Sequence, residues 1–191
     1  VEDPDFSAGG YWTGSKVSVD GKLTVEGHLQ TRALGGSGKI DVAGGNFGAV
    51  SVGGSFNINV DEYGIPGNQV VVIGETLPME NGGGIGVGAG GVLNLALTNP
   101  QSTYKGYYEN SSGTVNMFLQ NGARWNVLVF TNGKMNSLTG GTDKARRGLI
   151  NYTGPTHELN IEKYSGHTLI RYWPAAVEEA NAGWAKLTIR S

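Results

Sequence analysis

The chain has 191 residues, of which 33 are glycine and 16% are charged, and it contains no cysteine. The formal net charge of -2 leaves no basic face of the kind that binds nucleic acid, and the lack of cysteine excludes disulfides, thiol nucleophiles and cysteine-ligated metals. No run approaches the ~20 apolar residues that cross a bilayer. We therefore predict no nucleic-acid partner and no membrane insertion by this segment.

Apolar and polar residues alternate over short stretches along most of the chain. Alternation with a period of two is the pattern of a β-strand that buries one face. The predicted strands are Val17–Val19, Leu23–Val25, Ile40–Val42, Val50–Val52, Phe56–Val60, Leu93–Leu97, Val115–Leu119, Leu159–Ile161, Leu169–Tyr172 and Leu187–Ile189. Helical signals are confined to Ala175–Ala182, where Pro174 could open a short helix and Gly183 could close it.

Glycine-rich turn signals separate the strands, as at Glu26-Gly27, Gly53-Gly54 and Asn121-Gly122. In the first third of the chain, each strand has a pair of inward-facing apolar residues, such as Val17 and Val19. These pairs recur at intervals of roughly 6, 10 and 17 residues, which is the spacing expected for short strands within stacked coils. Outward positions carry mostly Asn, Ser and Thr, which suits stacked rungs where like charges in register would repel. The prediction is an all-β, right-handed parallel β-helix, with a β-sandwich as the alternative.

The second half of the chain contains more specific patterns. Residues 121–127 read Asn-Gly-Ala-Arg-Trp-Asn-Val after a strand, residues 136–141 read Asn-Ser-Leu-Thr-Gly-Gly, and residues 159–166 read Leu-Asn-Ile-Glu-Lys-Tyr-Ser-Gly. Together these resemble rungs of pertactin-type autotransporter passengers, and Gly183–Ile189 is predicted to begin a further coil. We accordingly treat residues 1–191 as one β-helical segment inside a longer passenger, with glycine-rich coils in 1–90 and family-like coils in 91–191.

The resemblance implies a secreted virulence protein on the surface of a bacterium with an outer membrane. Its expected partners are a host-cell or extracellular-matrix protein or glycan, or another copy of the chain. We expect an adhesin without cofactor, metal or catalytic residues. Two alternatives stay open: an inert spacer, and a polysaccharide lyase or hydrolase that uses acids such as Asp20, Glu26 and Asp41 with Arg146 as the base.

Candidate contact residues lie in two breaks between strands. Tyr104, Tyr107 and Tyr108 form an aromatic group within residues 99–110, and exposed tyrosines contact sugars and proteins at low entropic cost. The alternative is that two of the three tyrosines cover the edge of the solenoid. Arg146 and Arg147 belong to a second, locally basic loop. Structural roles are predicted for three residues. Trp125 is expected to fill the core, and Gly122 and Gly166 are expected to supply corner positions with positive φ.

Overall fold

The described part of the chain is built from short β-strands joined by tight corners. The computed structural model describes residues 6–8, 11–14, 16–74, 84–131, 133–152, 159–172, 176–180 and 187–189. The strands are β1 (Phe6–Ala8), β2 (Tyr11–Gly14), β3 (Val17–Ser18), β4 (Lys22–Thr31), β5 (Leu34–Gly36), β6 (Lys39–Phe47), β7 (Val50–Val52), β8 (Ser55–Ile58), β9 (Val71–Ile73), β10 (Gly84–Val87), β11 (Val92–Leu97), β12 (Thr103–Asn110), β13 (Thr114–Leu119), β14 (Arg124–Thr131), β15 (Gly133–Thr139), β16 (Gly148–Tyr152), β17 (Leu159–Ser165), β18 (Thr168–Tyr172), β19 (Ala176–Ala180) and β20 (Leu187–Ile189). A 3₁₀ turn covers Lys144–Arg146.

Each strand up to β18 pairs in parallel with a strand of a neighbouring coil, so the prediction of a parallel β-helix is confirmed and the β-sandwich is wrong. The described strands form faces that we number by chain order. Sheet 1 contains β3, β5, β7, β10 and the end of β12. Sheet 2 contains the starts of β4 and β6, then β8, β11 and β13, and the ends of β15 and β17. Sheet 3 contains the ends of β4 and β6, then β9, the starts of β12 and β14, and finally β16 and β18.

The core lies inside the coils and is filled by apolar residues from alternate strand positions. On sheet 2, the fully buried column runs through Leu23, Ile40, Phe56, Leu93 and Val115, which pair in register from coil to coil. One coil cannot bury its inner face alone, so stacking supplies the burial that drives folding.

The corners are tight enough to require glycine at particular positions. A Cβ atom added to Gly54 would lie 2.0 Å from the carbonyl oxygen of Gly38. The predicted corner Glu26-Gly27 lies inside β4, whose pairing with β6 shifts register between Val25 and His28. The strand therefore bends from sheet 2 to sheet 3 without interruption.

The last described strands reverse direction. Ala176–Ala180 is a strand antiparallel to β18, so the predicted helix is wrong over these residues; the rest of Ala175–Ala182 lies outside the described residues. Leu187–Ile189 runs antiparallel to β17, so the prediction that it begins a further parallel coil is also wrong, while Gly183–Lys186 lies outside the described residues. Pairing with the free edges of β17 and β18 outweighs the modest helix propensity of Ala and Glu.

Candidate functional site

A hairpin interrupts the coil that contains β8. Asn57 and Asn94 occupy neighbouring rungs of sheet 2 but lie 37 residues apart, whereas Asp41 and Asn57 on the preceding rungs are 16 residues apart. Part of this insertion is a turn-rich excursion, residues 59–70, closed by an antiparallel bridge between Val60 and Pro66. We call it the 59–70 hairpin.

The base of the 59–70 hairpin is tied to the end of β11. Asn59 is buried and has a φ of 57°. Its side chain donates to the carbonyl of Ala96 at 3.0 Å and accepts from the amide of Gln69 at 3.2 Å. Thr98 donates to the carbonyl of Gly67 at 2.6 Å. These bonds satisfy buried polar groups and fix the hairpin to the solenoid.

One carboxylate fixes the conformation of the hairpin tip. Asp61 Oδ1 accepts from the amides of Tyr63 and Ile65, each at 2.9 Å. Tyr63 is 80% exposed and Ile65 is 59% exposed, and they are the large apolar side chains that stand in solvent among the described residues. The hairpin thus presents an apolar tip on a hydrogen-bonded base.

A groove of about 740 Å³ separates the hairpin from the outward face of β4 and β6. Small-molecule sites in proteins have volumes of ~300–1,000 Å³, so the groove has room for a short oligosaccharide or peptide. Its lining includes Lys22, Glu26, Lys39 and Asp41 from the coils and Ile65 and Asn68 from the hairpin. All of these side chains except that of Ile65 carry groups that can donate or accept hydrogen bonds.

A ladder of polar side chains runs from the groove along the outside of sheet 2. Asn57 Nδ2 donates to Asp41 Oδ1 at 2.8 Å, Asn94 Nδ2 donates to Asn57 Oδ1 at 2.8 Å, and Asn116 Nδ2 donates to Asn94 Oδ1 at 3.0 Å. Ser137 donates to Asn116 Oδ1 at 2.7 Å. Each bond points toward the Asp41 carboxylate, so the amides polarise one another and hold that carboxylate in place.

The tyrosines predicted as surface contacts are mostly in the core. Tyr104 and Tyr108 are fully buried, so their predicted role in surface binding is wrong, whereas Tyr107 is half-buried. Both lie at inward positions of β12, so the break between strands predicted for residues 99–110 is wrong over Thr103–Asn110. Burial raises the pKa of both Tyr104 and Tyr108. Tyr104 accepts from the Ile85 amide at 3.2 Å, and Tyr108 donates to the Lys134 carbonyl.

The predicted structural residues are where the sequence placed them. Trp125 is fully buried, stacks on Tyr104 at a centroid distance of 5.5 Å and meets Tyr108 edge-on at 5.6 Å. Gly122 and Gly166 have φ values of 80° and 85°. The core role of Trp125 and the positive-φ corners are confirmed.

The basic loop is exposed and internally paired. Arg146 forms an ion pair with Asp143, whose carboxylate also accepts the Arg146 amide at 2.9 Å. The carbonyls of Arg146 and Arg147 accept from the amides of Asn121 and Gly122 at 2.6 and 3.0 Å. This ion pair offsets part of the local positive charge; contact with a ligand through Arg146 and Arg147 stays a prediction.

The groups considered for catalysis are only partly brought together. Glu26 and Asp41 line the groove, whereas Asp20 accepts from Ser37 at a corner, 3.0 Å away, and Arg146 lies on the basic loop. Within the described residues, no group of three or more His, Asp or Glu side chains is placed to hold a metal ion. The same part of the chain contains no helix with the length and hydropathy to cross a membrane.

No protein-family model matches the chain, and no curated protein and no solved structure matches it. The 59–70 hairpin was not predicted from the sequence. The available signal was the long interval between the inward pairs Phe56/Ile58 and Leu93/Leu95, together with the turn residues Gly64 and Pro66-Gly67 between them.

Proposed function

We propose that the chain is a β-helical segment of a bacterial autotransporter passenger, displayed on the cell surface, that binds a component of a host or neighbouring cell through the 59–70 hairpin. The rung patterns of residues 121–127 and 159–166 support the class of protein, and the parallel β-helix is compatible with it. The observation that carries the binding role is the exposure of Tyr63 and Ile65 on an anchored hairpin beside a groove.

Exposed tyrosine and isoleucine gain free energy when a partner covers them, because their apolar surface leaves water. Asn59 and Asp61 hold the hairpin by hydrogen bonds before any partner arrives. A preorganised loop loses little conformational entropy on binding, so more of the contact energy appears as affinity. Loops with these properties on a rigid scaffold are common binding sites.

The test is binding of the purified chain to host cells and to surfaces coated with extracellular matrix. Replacing Tyr63 and Ile65 together by serine is expected to remove most of the binding, because it removes the apolar tip. Replacing Arg146 and Arg147 together by alanine tests the competing contact site on the basic loop and, if the hairpin is the site, leaves binding intact.

Three results would contradict this proposal. Full binding by the Tyr63→Ser, Ile65→Ser variant would exclude the hairpin as the site. Loss of binding only in the arginine variant would place the site on the loop 143–147. No binding by the unaltered chain to any of these surfaces would favour the inert spacer.

A further inference from the structure

Two lysines of the groove form an in-register pair of like charges. Lys22 on β4 pairs directly with Lys39 on β6, and both side chains are exposed. Among the paired strand residues that the structure describes, this is the one position where two like charges face each other on adjacent rungs. Like charges directly opposite on neighbouring strands destabilise a sheet.

The nearest acid only partly neutralises the pair. Asp41 Oδ2 lies 4.0 Å from Lys39 Nζ, at the limit of an ion pair, and the Lys39 side chain is 56% exposed. The other oxygen of Asp41 accepts from Asn57 at the end of the ladder. The ladder therefore holds Asp41, and Lys22 and Lys39 remain exposed on neighbouring rungs at the wall of the groove.

We propose that the groove binds an oligosaccharide that carries a single carboxylate, with that carboxylate between the ammonium groups of Lys22 and Lys39. This inference rests on the proposed function and names the ligand class for the same site. A carboxylate at this position makes charge-assisted hydrogen bonds to both lysines and removes their mutual repulsion. The repulsion between the two lysines raises the free energy of the unbound protein, and its removal adds to the free energy of binding.

The rest of the groove favours a sugar with one charge over a polyanion. Asn68 and Gln69 supply exposed amides that donate to and accept from hydroxyl groups, and the exposed side chain of Ile65 gives the groove an apolar surface against which a sugar ring can pack. Glu26 and Glu62 also line the groove. Their carboxylates repel a ligand with a negative charge on every residue.

The test is calorimetric titration of the full chain with 3′-sialyllactose and, separately, with lactose, which lacks the carboxylate. We expect 3′-sialyllactose to bind at least about tenfold more tightly, as two charge-assisted hydrogen bonds imply. Lys22→Gln and Lys39→Gln should each remove most of this preference. Lys105→Gln, at an exposed lysine on β12 that pairs with Asn126, is the matched control and should keep it.

Thermal stability separates a binding defect from unfolding. Because Lys22→Gln removes a repulsion, its melting temperature should equal or exceed that of the unaltered chain while its affinity for 3′-sialyllactose falls. Equal affinity for the two sugars, absence of binding by both, or full binding by both lysine variants would overturn the assignment.

This outcome is distinguishable from failure of the proposed function. If cell binding needs Tyr63 and Ile65 but the two sugars bind equally or not at all, only the ligand class is wrong. If 3′-sialyllactose binds as expected but the Tyr63→Ser, Ile65→Ser variant keeps full cell binding, the groove binds acidic sugars and adhesion through the hairpin is wrong.

Discussion

The coils of residues 16–58 and those of residues 92–151 use the same strand pattern to enclose cores of different width. On the early rungs, side chains that bond across one coil are 17 or 16 residues apart, as Ser37 is from Asp20. On the later rungs the separation is 22, 21 or 25 residues, as between Asn116 and Asn94. The narrow core is filled by Val, Leu, Ile and Phe, whereas the wide core also contains Trp125 and two tyrosines.

The difference shows that the perimeter of a coil and the volume of its core side chains are matched. In the narrow coils a corner passes so close to its neighbour that Gly54 has no room for a Cβ atom. Corners in the wide coils are also tight, since a Cβ atom on Gly141 would lie 2.2 Å from the Arg146 carbonyl oxygen, but the longer perimeter leaves interior volume that the aromatic rings fill. Native packing density requires this match between perimeter and side-chain volume.

The largest effect should come from emptying the wide core. Trp125→Ala is expected to lower the free energy of unfolding by about 3–5 kcal/mol, because it removes a buried indole and leaves a cavity beside Tyr104 and Tyr108. Ile150→Val, at the next residue in the same inward column, should cost only about 1 kcal/mol. Urea unfolding followed by circular dichroism measures both. A Trp125 variant as stable as the Ile150 variant would show that the rings do not support the wide coils.

A smaller but still large effect should come from closing space at a narrow corner. Gly54→Ala is expected to cost about 3 kcal/mol, since its methyl group would overlap the Gly38 carbonyl. Gly122→Ala should cost about 1 kcal/mol, because only the positive φ of 80° opposes it. Denaturant midpoints of the two variants compare the corners directly. Equal losses would mean that the space around a corner glycine does not determine the cost of replacing it.

The polar ladder joins the two regions, and its middle rung can be removed. Asn94→Ala deletes the bonds to Asn57 and Asn116 and should cost about 2 kcal/mol, at about 1 kcal/mol for each bond. Asn151→Ala deletes one comparable bond, to Asn126 at 2.7 Å, and should cost about half as much. Equilibrium unfolding of both variants tests the ratio. An Asn94 variant with unaltered stability would show that the ladder does not couple the coils.

The wide core should also be the alkali-sensitive one. Burial raises the pKa of Tyr104 and Tyr108 above the usual value of 10.0, so the folded state keeps protons that the unfolded state releases. Their contribution to the free energy of unfolding is constant below about pH 10. As pH rises further, the free energy of unfolding falls by about 1.4 kcal/mol per pH unit for each tyrosine. Melting temperatures from about pH 8 to pH 11 should fall only above pH 10, and less steeply in Tyr108→Phe. A flat profile to pH 11 would contradict this assignment.

The sequence predicted the local structure well because alternation reports which side of a strand faces inward. Val17, Leu23 and Phe56 are all buried as their patterns indicate. The even spacing of Tyr104 and Tyr108 carries the same signal, but the Lys105-Gly106 pair between them favoured a break between strands. Tyr104 and Tyr108 were therefore predicted at the surface, although their even spacing places both side chains on the inward face of one strand.

Features that depend on contacts between coils could not be derived from local pattern. The ladder requires the register that places Asn57 beside Asn94, 37 residues later, and the groove requires that the inserted hairpin fold over β4 and β6. The antiparallel course of Ala176–Ala180 likewise depends on the free edge of β18. Each is set by pairing between distant segments, which propensity does not encode.

The central claim is that the 59–70 hairpin and the groove beside it form the binding site. The most direct test is to record amide chemical shifts of the labelled chain while 3′-sialyllactose is added. The predicted result is a set of changes concentrated in residues 22–26, 39–43 and 59–69, with little change at residues 143–147. Saturable changes concentrated at residues 143–147 would contradict it, whereas no saturable change anywhere would contradict only the assignment of an acidic sugar as the ligand.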